Sequence, residues 1–205
     1  MENKQENKPK SAAWANPTPA GLVALAVACF IFFALLTGQV TREAMPLMGC
    51  FFIGGFIIQI IVGLLDLKSG NISGGNTFVY FSAYFMLVSG IEMFIKYFVP
   101  EVDTRVDGWA WLALALVVLL WTPAFFKGPG LLFILVVVLN IALPCIVIND
   151  LKLVSGMAST VLAYIAGYAL LTCGIIGIYL SAAIIVNTTF GREILPNPKP
   201  FYKGN

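Results

Sequence analysis

The side chains here that stand out as able to act on a ligand are neutral amides and a hydroxyl in apolar surroundings, not acids, bases or nucleophiles. The densest group is Asn16-Pro17-Thr18-Pro19-Ala20-Gly21-Leu22, where a charged N-terminal stretch meets the first apolar run. Two prolines two apart cannot lie inside a helix, but each fixes φ and lacks an N–H, so Pro19 fits the first turn of a helix that begins here. The free N–H groups of such a start, with the positive end of the helix dipole and the Asn16 amide beside it, form an anion site. A rigid N-cap that binds nothing is the plainer reading. Gln59 and Asn140 are amides in the middle of long apolar stretches, and Pro144 follows Asn140. Asn71 lies in the glycine-rich Gly70-Asn71-Ile72-Ser73-Gly74-Gly75-Asn76, which lets backbone approach a ligand or simply makes a loose turn. Polar groups inside apolar runs cost free energy unless they face protein or water, so Gln59 and Asn140 either line a path or bond to a neighbouring helix. Glu92 and Lys96, four apart, read as a neutralising pair at a membrane edge before they read as a proton relay.

Composition says what positions these groups. The 205 residues are 60% hydrophobic and 11% charged, and the mean hydropathy is +0.92. Those values are far outside soluble norms and describe a multispanning membrane protein with no room for a soluble domain. The expected organisation is a flexible cytoplasmic tail over 1–15, a six-helix transmembrane domain over 16–190 and a cytoplasmic C-terminal tail over 191–205. Apolar runs cover 21–37, 46–65, about 76–98, 109–126, about 129–148 and about 157–186, and the last is long enough to tilt or extend past the bilayer. They read as helices, because in lipid a helix satisfies its own backbone, and the alternation of a membrane barrel is absent. The fold class is therefore an all-α membrane protein with six transmembrane helices. The N-terminal stretch lacks the h-region of a cleaved signal. With both termini on one side, eight Lys and Arg fall on that side against four on the other, which predicts cytoplasmic termini.

The second run closes as Asp66-Leu67-Lys68-Ser69-Gly70 and the fifth as Asp150-Leu151-Lys152-Leu153-Val154-Ser155-Gly156. Three spans separate the two, so one reading is an inverted three-plus-three repeat, and the other is chance recurrence of a membrane-edge Asp and Lys. The four cysteines all sit in apolar runs and read as small core residues. With no His, no cysteine cluster and no carboxylate dyad at helical spacing inside the bilayer, the pattern predicts no metal, no cofactor and no enzyme. A net charge of +2 is too small for a nucleic-acid surface.

Asn16 to Leu22 resembles the N-P-A-P-L-G-L signature of the acetate uptake transporter family, the succinate–acetate permeases. Phe190-Gly191-Arg192-Glu193-Ile194-Leu195-Pro196 resembles that family's F-G-R-x-V-L-P ending, with Tyr179 and Asn187 at the family's spacing before it. Gly54-Gly55, Gln59 and Gly63-Leu64-Leu65 followed by Asp66 are similar to its second-helix pattern, with one extra residue between the glycines and Gln59. The resemblance spans about residues 14–196. It implies a hexamer of six-helix protomers in the cytoplasmic membrane, each with its own pore for small carboxylates such as acetate. Substrate contacts are then expected at Asn16, Pro17, Thr18, Pro19, Gln59 and Asn71, with Asn140 as a polar group lining the pore. The family's Phe–Tyr–Leu pinch falls on Leu25, Phe81 and Leu139 in an ungapped register. A gapped register, matching Phe81-Ser82-Ala83-Tyr84 to F-S-S-Y, keeps the Tyr as Tyr84. The family's G-N-T-F reads as broken into Gly70-Asn71-Ile72-Ser73.

Passage of acetate and similar carboxylates, by a channel or a proton-coupled carrier, is thus the leading expectation. A six-span channel for small neutral solutes such as urea or amides is the alternative, and a non-transporting membrane scaffold is a third.

Overall fold

The computed structural model describes residues 14–202. The expected flexible tail lies, for 1–13, outside the described residues. All regular structure among them is helical. Helix α1 is Thr18–Leu36, α2 Met45–Lys68, α3 Ile72–Phe81, α4 Ser89–Phe98, α5 Arg105–Trp121, α6 Gly130–Asp150 and α7 Gly156–Phe190. A π segment, Ser82–Val88, joins α3 to α4 into one span, and 3-10 turns precede α2 and follow α5. Six spans result.

The boundaries follow local chemistry. Prolines in the first turn open α1 and α2, where a missing N–H is harmless. Helix α2 ends at Ser69 and Gly70, and the Gly70 φ of +87° is a left-handed value that costs glycine nothing. Asn71 then caps α3, its Oδ1 accepting the Gly74 N–H at 3.1 Å. Helix α7 closes at Gly191, φ +63°.

The spans form a closed circle. Helix α1 packs between α2 and α7, α7 lies on α6, α6 on α5, and α2 on α3 and α4. The gap between the third and fourth spans is bridged by large rings, with Tyr80 against Trp121 at 5.4 Å and Phe85 against Trp111 at 5.8 Å. Elsewhere small residues bring backbones close. A Cβ on Gly49 would lie 2.7 Å from the Gly90 carbonyl oxygen and 2.5 Å from the Phe94 ring, so only glycine lets α2 and α4 meet at this distance.

The echoing helix ends lie at opposite ends of the bundle and are joined to their neighbours differently. At one end Asp66 of α2 meets Thr18 at the start of α1, and Asn71 before α3. At the other, Leu151 after α6 packs on Gly108 at the start of α5, and Asn149 donates to Ser159 O of α7 at 3.1 Å. The Glu92–Lys96 pair forms at 3.1 Å, and Asp107 of α5 joins it 2.5 Å from Lys96 Nζ. Arg42 closes the same end by donating to the carbonyls of Lys96 and Tyr97 at 2.6 and 2.9 Å.

Cys29 and Cys173 are core residues as expected, but Cys50 is exposed on the outside of the bundle. Sequence composition does not separate a lipid-facing position from a core one, since both favour apolar groups.

If α2 and α4 touch through backbone at Gly49, then Gly49→Ala lowers thermal stability in detergent by about 1–3 kcal/mol, the usual cost of overpacking. Gly54→Ala, with nothing within 4 Å of its Cβ, leaves the melting temperature unchanged or raises it slightly. Equal effects of the two substitutions contradict the close approach.

Candidate functional site

One cavity of about 410 Å³ runs into the protomer between all six spans. Its mouth is made by the starts of three helices. Asn16 and Thr18 come from α1, Asn71, Ser73 and Gly74 from α3, and Lys127, Gly128 and Pro129 from the approach to α6. Three helix dipoles therefore present their positive ends to one opening, with the Lys127 ammonium beside them. Among the described residues Lys127 is the only charged side chain on the cavity wall, and its Nζ lies 5.6 Å from the centre of the Tyr202 ring.

The sequence points to Asn16 as a donor for a ligand, and in the structure it stands one residue before Pro17, the N-cap of α1. Asn16 Oδ1 accepts the Thr18 N–H at 3.0 Å, which leaves the side-chain amine at the mouth. Pro17 and Pro19 shape the helix start but do not reach the cavity wall, which corrects their expected role as contacts. Thr18 and Asn71 do reach the wall, and both are held from behind by Asp66. The Thr18 hydroxyl donates to the Asp66 carboxyl at 3.3 Å, and Asn71 Nδ2 donates to Asp66 Oδ2 at 3.0 Å. Asp66 is only 2% exposed and has no Lys or Arg partner among the described residues. It ties α1, α2 and α3 together at the mouth.

Gln59 is 1% exposed and lies on the cavity wall. Its Nε2 donates to Gly21 O at 3.4 Å, and its Oε1 has no partner. Thr77 Oγ1, on the same wall, is likewise buried and unpartnered. A buried polar atom without a hydrogen bond costs about 1–3 kcal/mol, so two on one cavity wall mark where a polar ligand would repay it. Sequence reading passed over Thr77, although a signal was there. The letters G-N-T-F stand intact at Gly75-Asn76-Thr77-Phe78, five residues after the place where they read as broken.

Leu25, Phe81 and Leu139 all line the inner cavity and all are buried. Tyr84, the choice of the gapped register, is 52% exposed on the outside of the bundle and absent from the wall. The reason is the π segment. Its wider turn, hydrogen-bonded five residues apart, rotates Tyr84 away from the face that Phe81 occupies, and the Ser89 hydroxyl donates to Tyr84 O at 3.3 Å. Tyr80 reaches the wall instead. Asn140 is also corrected. Its Nδ2 donates to Thr122 Oγ1 at 2.7 Å, linking α6 to the end of the fourth span, and it does not line the cavity. Past Phe81 the interior is filled by aromatic contacts, with Phe81 on Phe85 at 5.5 Å, Phe85 on Phe32 at 5.3 Å and Phe32 on Phe52 at 4.8 Å.

Residues 191–198 form a strap across the mouth. Asn187 accepts the N–H groups of Ile194 and Leu195 at 2.7 and 2.9 Å and donates to Leu195 O at 2.8 Å. Tyr179 OH donates to Pro196 O at 2.8 Å. Pro198 O and the Asn197 side chain then accept the first N–H groups of α6, and Asn197 borders the cavity. These bonds account for the Tyr179, Asn187 and Phe190–Pro196 spacing.

A model of the GPR1/FUN34/yaaH family matches residues 2–196. The succinate-acetate/proton symporter SatP of Escherichia coli K12 is 28% identical over 185 residues, covering 89% of this chain and 94% of that protein. The protein of the same name from Shigella flexneri matches to the same extent. Among solved structures, the bacterial acetate channel SatP superposes with a TM-score of 0.78 at 23% identity, covering 89% of this chain and 98% of the other.

Proposed function

The chain belongs to the GPR1/FUN34/yaaH family, and from that premise we propose that it passes acetate and similar short carboxylates across the membrane through a pore within each protomer. The observation that carries the reading is a cavity with a positive mouth and an apolar end. A bare carboxylate moved into hydrocarbon loses on the order of 20 kcal/mol of solvation, so a pore must replace water stepwise. At the mouth, Lys127, three helix N-termini and the amides of Asn16, Asn71 and Asn197 attract and hold the anion. Deeper in, Gln59, Thr77 and Tyr80 are polar groups on the wall that also holds Leu25, Phe81 and Leu139. That ring has no donor and acts as a hydrophobic gate, closed here and backed by the Phe32–Phe52–Phe85 stack, so passage requires these rings to move. The relatives named for succinate, acetate and protons support the substrate class.

The Lys and Arg distribution supports a cytoplasmic mouth and cytoplasmic termini, and we infer the inner membrane from the family resemblance. The broad apolar surface, with Leu47, Ile57 and Leu120 more than half exposed, suits lipid and a ring of identical protomers, six by family resemblance. Native mass spectrometry in mild detergent is expected to give hexamers, and monomers alone overturn that assembly.

Labelled flux into liposomes tests the pore. Leu139→Ala widens the ring and raises succinate flux relative to acetate severalfold, with expression and assembly retained. An equal or lower ratio means that Leu25, Phe81 and Leu139 do not form the gate.

A further inference from the structure

We propose that the cavity also binds medium-chain carboxylates, which lodge in it as plugs, with the head at the mouth and the alkyl chain on an aliphatic half of the wall. This deepens the reading of the cavity as a carboxylate pore and rests on it. Below the mouth the wall has two unlike halves. Leu132, Leu135, Val136 and Leu139 recur at the spacing of one helix face and turn that face of α6 to the cavity. Leu180 of α7, which lies on α6, and Leu22 of α1, which lies on α7, continue it. Among the described residues, this half carries aliphatic side chains alone. The other half, from α2, α3 and α5, holds the polar atoms of Gln59, Thr77, Tyr80 and Trp121.

Acetate leaves most of this wall unused. The cavity of about 410 Å³ has room for about a dozen waters at about 30 Å³ each, whereas acetate brings a single methyl group. At about 1.5 Å per residue, its depth is about 10 Å from Thr18 to Leu25 and about 12 Å from Ser73 to Phe81. A carboxylate of about six to ten carbons, with about 1.5 Å per carbon–carbon bond, spans that depth when its head lies beside Lys127, Asn16 and Asn71. Its methylenes then lie on the α6 face, and water keeps the opposite half, where the unpartnered atoms of Gln59 and Thr77 need it. Each methylene fully covered by apolar wall strengthens binding about fourfold, and one covered on a single side about twofold. The chain ends against Leu25, Phe81 and Leu139, so such an acid fills the cavity without passing through it.

Linear alkyl sulfonates test this, since they keep the anionic head, stay charged at every working pH and cross lipid poorly. Ethane-, butane-, hexane-, octane- and dodecanesulfonate are added to liposomes carrying the full chain, and the concentration that halves labelled acetate flux is measured. That concentration is expected to fall about twofold to fourfold per methylene up to hexane- or octanesulfonate, and then to level off where the chain outgrows the cavity. A potency independent of length overturns the proposal, and so does one that rises without a break through dodecanesulfonate, the pattern of bilayer partition. Val136→Thr keeps the shape of the side chain but puts a hydroxyl in the α6 face, so it weakens hexanesulfonate about threefold more than ethanesulfonate. Lys127→Gln weakens every length by a common factor. Equal effects of Val136→Thr on both lengths, or no effect of Lys127→Gln at any length, also overturn the proposal. Calorimetric binding of the series to the chain in nanodiscs separates this from the transport reading. Absent acetate flux with binding that grows with length and falls in Val136→Thr sinks transport and keeps the site. Acetate flux with no gain from length keeps transport and sinks the site.

Discussion

A carboxyl group buried at a membrane edge without a cationic partner is costly, and Asp66 exists only because α1 and α3 both bring donors to it. That requirement dictates much of the architecture. Thr18 reaches Asp66 because the double proline starts α1 at this level, and Asn71 reaches it because Gly70 turns the chain sharply after α2. The three helices are thereby held with two N-termini side by side, and the strap from α7 brings the start of α6 to the same opening. The positive mouth is a by-product of satisfying polar groups that lipid cannot satisfy. The same accounting explains why the strap is folded, since the first N–H groups of α6 find their acceptors at Pro198 and Asn197.

Much of this was legible in the sequence, for reasons that differ by level. Six spans can be read directly, because only uninterrupted apolar runs of this length survive in a bilayer. The helix start at Asn16–Pro19 was readable too, since proline chemistry is local. The third span was not. A π segment changes the angle between residues without any change in composition, so Phe81 and Tyr84 could not be told apart by pattern. Asn140 and Gln59 look alike in sequence, each an amide within an apolar run, yet one bonds across to Thr122 and the other keeps an oxygen free on the cavity wall. Which of these happens depends on the neighbouring helix, and a single sequence carries no record of its neighbours. In sequence Lys127 is one charge in a connection between spans, and its place at the mouth emerges from the fold.

The cavity ends blind in the conformation described. Leu25, Phe81 and Leu139 lie on its apolar wall, and beyond Phe81 the rings of Phe85, Phe32 and Phe52 pack on one another. If that proposed gate opens, packed rings of this kind favour a concerted rearrangement over a gradual widening. The long third span, interrupted by the π segment beside Phe81 and Phe85, is the element whose backbone is best suited to such a shift.

Passage through the centre of each protomer is tested most directly by blocking it at one atom. In a chain whose native cysteines are replaced, Leu25→Cys places a thiol at the inner end of the cavity, and Tyr84→Cys places one on the outer face of the same bundle. A membrane-impermeant thiosulfonate added from the Asn16 side is expected to abolish acetate flux in the first and to leave the second unaffected. Modification of Leu25→Cys that leaves flux intact, or a block that occurs only through Tyr84→Cys, contradicts a path through the protomer.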